Sequence, residues 1–327
     1  MSGLYPLKFK PIYQDKIWGG NRMKTILNKD YGKLPNCGES WELSGVEGNI
    51  SVVSNGFLEG NDLNELVEIY MGDLVGDKIY EKFGAEFPLL IKFIDAQQDL
   101  SIQVHPNDEL SKERHNAYGK TEMWYVVGTE EAALINSGFN QEVNREKYLE
   151  YLNNGKLSEL LHYDKAEVGD VFFIPAGRVH AIGKGCLVAE IQQTSDVTYR
   201  IFDYNRKDDK GNERELHTDL ALDAIDYSYS SEYKAKYSIE KNQSSEIVSC
   251  PYFTTNILEF DREIDKDYNE LDSFVIYMTM EGSFELITEE GAETVEKGET
   301  VLIPANLESV QLKPVAEKVK ILEVYIK

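Results

Sequence analysis

A pattern that occurs twice in this chain constrains its fold more than any other feature. The segment GDVFFIPAGRVHAI begins at Gly169, and the segment GETVLIPANLESVQ begins at Gly298. Each contains a glycine and an acid, a short apolar run, an Ile-Pro-Ala turn and a second run, which is typical of two strands joined by a turn. Such self-similarity predicts two copies of one β-unit. Ser309 occupies the position of His180, so only the first copy keeps a metal-binding side chain at this point.

Two further predicted strands carry polar residues on one face. Side chains alternate between the faces of a strand, so Ser101, Gln103 and His105 lie on the same face of LSIQVHPND. Gln103 and His105 are separated by about 6.6 Å of strand rise, which lets both side chains converge on one small object. In GKTEMWYVVG the same alternation puts Lys120 and Glu122 on a common face.

The strand that follows the first Ile-Pro-Ala turn carries Arg178 and His180 on one face and supplies a second imidazole. The candidate ligands therefore form a mixed nitrogen and oxygen set, which suits zinc or another divalent first-row metal. They are Gln103, His105, Glu122 and His180.

A single histidine on a strand is more often a hydrogen-bonded core residue than a ligand. The ligand interpretation is favoured because two of only five histidines have this setting, one before a proline and one after a proline-glycine turn. The other three, which we expect at the surface, are His115, His162 and His217.

Charged residues inside apolar strands are further candidates. Lys92 interrupts FPLLIKFIDA, so it either extends to a sheet edge or points at an anion within a site. Arg200 lies between Tyr199 and Ile201, where an unpaired charge would be costly. Trp41 could line a site, although a core position is the favoured interpretation.

Helices are predicted where the apolar spacing changes to that of a helix. Leucine and valine residues in Asn61–Phe83 follow this spacing, and Asp62 with Glu65 predicts a capping box. Residues 140–163 and a short stretch of 215–229 are also predicted to be helical, whereas 237–327 is mostly strand-like.

The charge and cysteine content exclude several classes of function. A net charge of −24 argues against nucleic acid or an acidic membrane as a partner. The first twenty residues lack the apolar segment of a secretory signal, and no apolar run is long enough to cross a bilayer. Three scattered cysteines do not form a disulfide framework. We therefore expect a cytoplasmic protein with no membrane partner.

Four segments resemble one known family. SIQVHPN, GKTEMWYV, FIPAGRVHAIG and EIQQTSDVTYRIFDYNR are similar to the type I mannose-6-phosphate isomerases, particularly the short bacterial form, within the cupin superfamily. The resemblance implies a mainly β protein with two cupin-type jelly-roll barrels and a small helical insertion. It also implies a catalytic domain at 1–235, with N-terminal strands and helical insertions, and a degenerate metal-free domain at 236–327.

The resemblance also assigns roles to individual residues. The family's zinc ligands, for one ion per chain, fall on Gln103, His105, Glu122 and His180, the glutamine being the weakest ligand. The family's active-site arginine falls on Arg200, and its polar site-lining residues fall on Lys92, Ser101, Lys120 and Glu190. Thr121 stands where many relatives have proline, which changes local rigidity but not the ligand set.

The implied activity is the interconversion of mannose 6-phosphate and fructose 6-phosphate through an enediolate. This chemistry needs an acid or base and an electrophile, for which Arg200, Lys120 and Glu190 are the catalytic candidates. Lys92, Ser101 and Arg178 are the candidates for substrate binding, because basic residues in an acidic protein suit a phosphorylated sugar. A monomer or homodimer is expected.

Two other functions remain open at this point. A set of two histidines and one carboxylate also occurs in cupin iron oxygenases, which would consume oxygen. A non-catalytic sugar-binding cupin would bind its ligand without turnover.

Overall fold

The computed structural model describes residues 3–207 and 210–327, and it confirms the predicted mainly β class. Its strands form four antiparallel sheets, arranged as two pairs. The first twelve strands are β1 (Leu7–Lys8), β2 (Ile12–Gln14), β3 (Glu39–Leu43), β4 (Leu89–Asp95), β5 (Ile102–Val104), β6 (Glu122–Thr129), β7 (Leu134–Phe139), β8 (Leu161–Lys165), β9 (Val171–Ile174), β10 (His180–Ile182), β11 (Cys186–Gln193) and β12 (Tyr199–Phe202).

The remaining strands all lie in the last third of the chain. They are β13 (Ser244–Ser249), β14 (Thr254–Phe260), β15 (Ile264–Asp267), β16 (Val275–Glu281), β17 (Ser283–Thr288), β18 (Gly291–Glu296), β19 (Thr300–Ile303), β20 (Ser309–Pro314) and β21 (Val319–Tyr325).

The first pair of sheets forms the unit that contains the candidate site. One sheet has the strand order β2-β3-β4-β11-β6-β9, and the other has the order β12-β5-β10-β7-β8. Ile94 and Trp124 from the first sheet share a buried cluster with Ile135 and Ile182 from the second. The two sheets therefore enclose one core, as expected when two amphipathic sheets bury their apolar faces together.

The second unit repeats this arrangement. Its sheets have the orders β1-β19-β16-β21-β14-β13 and β15-β20-β17-β18. The repeated sequence segments form β9 with β10 in the first unit and β19 with β20 in the second, which confirms the predicted internal repeat. This unit has its own buried core, which includes Phe284 and Leu312.

The two units share a third and larger core. It joins Leu43 and Phe93 of the first unit to Ile276 and Leu322 of the second. The strand β1 also crosses between the units, because Leu7 pairs with Leu302 in the sheet of the second unit. The predicted division at residue 235 therefore leaves one N-terminal strand in the C-terminal sheet.

The helices lie between strands of the first unit. They are α1 (Arg22–Thr25), α2 (Leu63–Tyr70), α3 (Gly72–Val75), α4 (Asp77–Phe83), α5 (Asp108–His115), α6 (Arg145–Asn153) and α7 (Thr218–Ala224). No helix in the described part of the chain is long and apolar enough to cross a lipid bilayer.

The prediction of one helix over Asn61–Phe83 is wrong in its continuity. The capping box of Asp62 and Glu65 is present, but the segment breaks into three short helices. The breaks occur at Met71, with φ of 48°, and at Gly76, with φ of 98°. A left-handed residue cannot continue a right-handed helix, and apolar spacing alone does not reveal it.

The helix predicted within 140–163 is present as α6 (Arg145–Asn153), and the glycine at 155, which the sequence offered as its stop, follows it closely. The residues beyond it form a short 3-10 helix and β8 instead of more helix.

A buried ion pair fixes the contact between the units. The Lys29 ammonium lies 2.8 Å from the Glu42 carboxylate and donates to the carbonyl oxygen of Gly298 in the second unit. Both side chains are almost fully buried. Because removal of one partner leaves the other charge uncompensated, we expect Lys29→Met to destabilise the protein by about 3 kcal/mol.

The midpoint of urea unfolding would measure this loss. The matched control is Lys10→Met, since Lys10 and Glu59 form an ion pair in which both side chains are exposed. Exposed pairs contribute little, so the control should unfold close to the wild type. Equal midpoints for Lys29→Met and wild type would contradict the role given to the buried pair.

Candidate metal centre and substrate cavity

Two histidines and a glutamate converge on one point between the two sheets of the first unit. Among the described residues, the group that could hold a metal is His105, Glu122 and His180, whose ligand atoms all lie within 4.8 Å of one another. Glu122 Oε2 lies 3.6 Å from His105 Nε2, and Glu122 Oε1 lies 3.5 Å from His180 Nε2. The alternation of side chains along β6 and β10 turns these residues toward the core.

Both imidazoles are held in the orientation that metal binding needs. His105 Nδ1 lies 2.9 Å from the carbonyl oxygen of Val197, and His180 Nδ1 lies 2.8 Å from that of Arg178. A carbonyl can only accept, so each Nδ1 carries the proton and each Nε2 presents a lone pair to the site. Burial lowers the pKa of His105 well below its ordinary value and that of His180 to about 4, so both rings are neutral.

Three polar atoms at the centre, His105 Nε2 and both carboxylate oxygens of Glu122, are buried without a hydrogen-bond partner. The Lys120 ammonium lies 3.5 Å from this carboxylate as an ion pair. Burial, followed by the nearby Glu190 carboxylate, raises the pKa of Glu122. Leaving such groups without partners is costly, so their convergence indicates that they bind something else.

Gln103 lies beside this group. Its Nε2 atom is 3.2 Å from His180 Nε2, and its Oε1 atom accepts a hydrogen bond from Ser101 at 3.5 Å. Rotation of the amide by 180° exchanges the two atoms, so Gln103 can present either a donor or an oxygen ligand to the centre.

A row of buried polar side chains lies next to the histidines. Lys92 donates to Glu190 Oε1 at 3.1 Å and to Gln192 Oε1 at 2.8 Å, and Trp124 Nε1 donates to Glu190 Oε2 at 2.7 Å. Burial alone would lower the pKa of Lys92 and raise that of Glu190. The attraction between the two opposite charges outweighs the effect of burial, so the pKa of Lys92 is raised and that of Glu190 is lowered. Lys92 therefore points into the site, and its charge is already compensated there.

Lys92, Trp124 and Glu190 line a cavity of about 480 Å³. Arg200 and Arg214 lie in its wall, and Lys120 lies 3.5 Å from the Glu122 carboxylate. Burial and the neighbouring Arg214 lower the pKa of Arg200, yet a guanidinium stays charged. Arg200 donates through Nη1 to the carbonyl oxygen of Glu215, while its Nε is buried without a partner. The cavity thus combines a candidate metal centre with cations that suit an anionic ligand.

The structure brings together nine of the ten predicted site residues. Gln103, Lys92, Ser101, Lys120, Glu190 and Arg200 line the cavity, and the two histidines and Glu122 lie directly beside it. Arg178 is the exception. Its guanidinium stacks on the ring of Tyr233, 4.9 Å from the centroid, and donates to the carbonyl oxygen of Phe173. Arg178 therefore does not line this cavity, although its backbone carbonyl orients His180.

Two residues of the cavity wall, Glu39 and Arg214, were not predicted from the sequence. Trp41, for which a core position was favoured, lies in the wall, and Glu39 beside it accepts a hydrogen bond from Trp41 Nε1. Burial would raise the pKa of Glu39, but Lys92 and Lys16 lower it to about 2. Alternation along GESWELSG puts Glu39 and Trp41 on one face and was the available signal. Arg214 offered none, because it lies in an irregular segment.

The second unit lacks the ligand set. The strand pairing puts Val275 at the position of Glu122 and Ser309 at that of His180. Glu323 occupies the position of Glu190, and both of its carboxylate oxygens have partners. Ser244 and Asn256 donate hydrogen bonds to Oε2. Tyr268 donates a hydrogen bond to Oε1, and Lys266 forms an ion pair with the same oxygen. The Glu323 carboxylate thus has its hydrogen-bond partners within the second unit, in contrast to the Glu122 carboxylate of the first unit.

Family models match both units of the chain. The model for the phosphomannose isomerase type I catalytic domain matches residues 6–128, and that for the mannose-6-phosphate isomerase cupin domain matches residues 243–323.

Individual relatives match along nearly the whole chain. A mannose-6-phosphate isomerase of Bacillus subtilis is 36% identical over 321 residues, which cover 95% of this chain and 97% of the relative. A mannose-6-phosphate isomerase of Streptococcus mutans is 33% identical and covers 94% of each chain. The crystal structure of a mannose 6-phosphate isomerase from Bacillus subtilis superimposes with a TM-score of 0.88 at 30% identity, over 99% of this chain and 100% of that one.

Proposed function

The chain belongs to the family of type I mannose-6-phosphate isomerases, and from this premise we propose that the cavity beside His105, Glu122 and His180 is its active site. The protein is a metal-dependent aldose–ketose isomerase that interconverts mannose 6-phosphate and fructose 6-phosphate. The observation that carries the proposal is the set of orphaned, buried ligand atoms at the cavity wall.

We propose zinc as the metal and Gln103, His105, Glu122 and His180 as its ligands. The residues fit such an ion, because two neutral imidazoles point their Nε2 atoms at a buried carboxylate whose oxygens accept no hydrogen bond. When bound, the cation would act as a Lewis acid on the sugar oxygens at C1 and C2. Gln103 is the weakest ligand, since an amide oxygen is uncharged.

Cations at the cavity wall would hold the phosphate and stabilise the enediolate. We propose that Arg200 and Arg214, which lie together in the wall, bind the negatively charged groups of the substrate. Lys92 orients Glu190 instead, since its charge is compensated by Glu190 and Glu39. Ser101 is proposed to donate a hydrogen bond to a sugar hydroxyl.

Glu190 is proposed to move the proton between C1 and C2, and Lys120 is proposed to donate a hydrogen bond to the sugar oxygen on which negative charge develops. Glu190 is held ionised, which allows it to accept the proton from carbon. Glu190→Gln keeps the shape but removes the base, so we expect kcat to fall by about 10²- to 10⁴-fold. If kcat of this variant matched that of the wild type, Glu190 would have no part in proton transfer.

Conversion of mannose 6-phosphate to fructose 6-phosphate by the purified protein tests the proposed function. We expect turnover to disappear after chelation and to return with one equivalent of zinc per chain. Turnover that persists in fully chelated protein would contradict the proposed metal centre. Restoration by iron(II) but not by zinc would contradict the choice of metal.

Metal affinity should depend on pH. The carboxyl group of Glu122 has a raised pKa without metal, so a proton must leave before metal binds. Affinity for zinc should therefore rise by about tenfold per pH unit below the pKa of Glu122 and level off above it. Competition with a chelator at several pH values measures this slope. A flat profile between pH 5 and about 8 would contradict the assignment of Glu122 as a ligand.

The chain is proposed to have two domains and a cytoplasmic location. We propose a catalytic domain at 1–235 and a metal-free domain at 236–327, with β1 completing the sheet of the second. The three cysteines are free thiols, which fits the reducing cytoplasm.

A further inference from the structure

A chain of hydrogen bonds runs from the second unit to the metal ligands of the first. Tyr252, in the turn between β13 and β14, donates through its hydroxyl to Asp108 Oδ2 at 2.8 Å. Asp108 Oδ1 accepts from Gln193 Nε2 at 2.9 Å, and Gln193 Oε1 accepts from the backbone N–H of Thr121 at 2.9 Å. Thr121 directly precedes the proposed ligand Glu122.

Thr121 has no freedom to move independently of this chain. Its carbonyl oxygen accepts from the backbone N–H of Gln193, and its Oγ1 accepts from the N–H of Ala176. The backbone N–H of Thr121 donates the hydrogen bond that Gln193 Oε1 accepts. A proline at this position would lack that donor. The Gln193 side-chain amide is thus one of three hydrogen-bond partners that hold Thr121, and with it the flanking Lys120 and Glu122, at the start of β6.

We propose that Tyr252, Asp108 and Gln193 are positioning residues that fix the start of β6 and thereby hold Glu122 in its metal-binding position. This inference rests on the ligand assignment proposed above. It gives the metal-free second unit a part in the chemistry of the first, since Tyr252 supplies the outermost bond of the chain.

The location of Tyr252 and Asp108 indicates that their contact does not simply fill space in the core. Tyr252, Asp108 and Gln193 line a second cavity of about 860 Å³, which shares Asp196 with the substrate cavity. Tyr252 and Asp108 are only part-buried there. Removal of the Tyr252 hydroxyl therefore creates no void in the core. Its effect is to remove one of three hydrogen bonds to the Asp108 carboxylate, the others coming from Gln193 and from the backbone N–H of Gly119, just before β6.

Zinc affinity of Tyr252→Phe, measured by competition with a chelator, tests the proposal. We expect zinc to bind about tenfold more weakly than to the wild type, the low end of the effect of groups that orient metal ligands. The absorption bands of the cobalt-substituted protein should also shift, because they report the ligand geometry. Unchanged affinity and unchanged bands would overturn the proposal.

Asp272→Asn is the matched control. Asp272 also belongs to the second unit and accepts hydrogen bonds from the N–H groups of Asp77 and Lys78 in α4. The Asp272→Asn variant should bind zinc with the affinity of the wild type. An equal loss in Asp272→Asn would mean that any loosening of the contact between units weakens the metal, and the specific chain would be wrong.

A double variant tests whether the residues act in series. In the Gln193→Met background the bond to Thr121 is already gone, so adding Tyr252→Phe should cause no further loss of affinity. Additive losses would overturn the proposal. Failure of the wild type to bind one zinc ion per chain would instead overturn the ligand assignment, so the two failures are distinguishable.

Discussion

His180→Ala is expected to abolish stoichiometric zinc binding and to lower kcat by about a thousandfold or more. His180 is fully buried, and its Nε2 atom points at the Glu122 carboxylate. A catalytic cation contributes several kcal/mol to stabilising the transition state, and each 1.36 kcal/mol is worth about a factor of ten in rate. Metal content of the purified variant and its rate of mannose 6-phosphate isomerisation are the two measurements.

The matched control is His162→Ala. His162 lies on β8, in the same sheet as His180, and its imidazole contacts Asp164 rather than the cavity. It should retain metal and activity. One zinc ion per chain in the His180→Ala protein would show that the ligand set is assigned wrongly.

Arg200→Met is expected to lower kcat/KM by about 10²- to 10³-fold without loss of zinc. The half-buried guanidinium lies in the cavity wall, where an ionic group is worth far more than in water. Its Nε atom is buried without a hydrogen-bond partner, so this side of the guanidinium is available to an anionic substrate. A loss confined to KM would indicate binding of the phosphate, whereas a loss in kcat would indicate stabilisation of the enediolate.

Arg145→Met serves as the control for this change. Arg145 is exposed and pairs with Asp223 at 3.2 Å, away from the cavity. It should have the activity of the wild type. A similar decrease in both variants would contradict the catalytic role of Arg200, and a decrease in zinc content would indicate that Arg200 supports the metal centre instead.

Alternation along strands was sufficient to predict the centre of the site. The faces of β6 and β10 follow directly from a period of two, so Glu122 and His180 were recognised from their positions in the sequence, whereas Glu190 was assigned by the family resemblance. The repeated Ile-Pro-Ala segment likewise predicted two β-units, which the structure confirms.

Features that depend on distant contacts could not be predicted in this way. The prediction that Arg178 and His180 share a strand face is wrong, because β10 begins only at His180 and the Arg178 guanidinium packs on the ring of Tyr233, far along the chain. The break at Met71 depends on a backbone conformation that apolar spacing does not encode. The bond from Tyr252 to Asp108 joins residues 144 positions apart.

The position of β1 has a consequence for how this protein is made. Leu7 and Lys8 are synthesised long before their partners Leu302 and Val301. The strand β1 therefore stays unpaired until the ribosome has passed residue 302, although domains generally fold as units from the N-terminus. A nascent chain stalled near residue 235 should keep its first strand unpaired and accessible to proteases, whatever the state of the catalytic sheets.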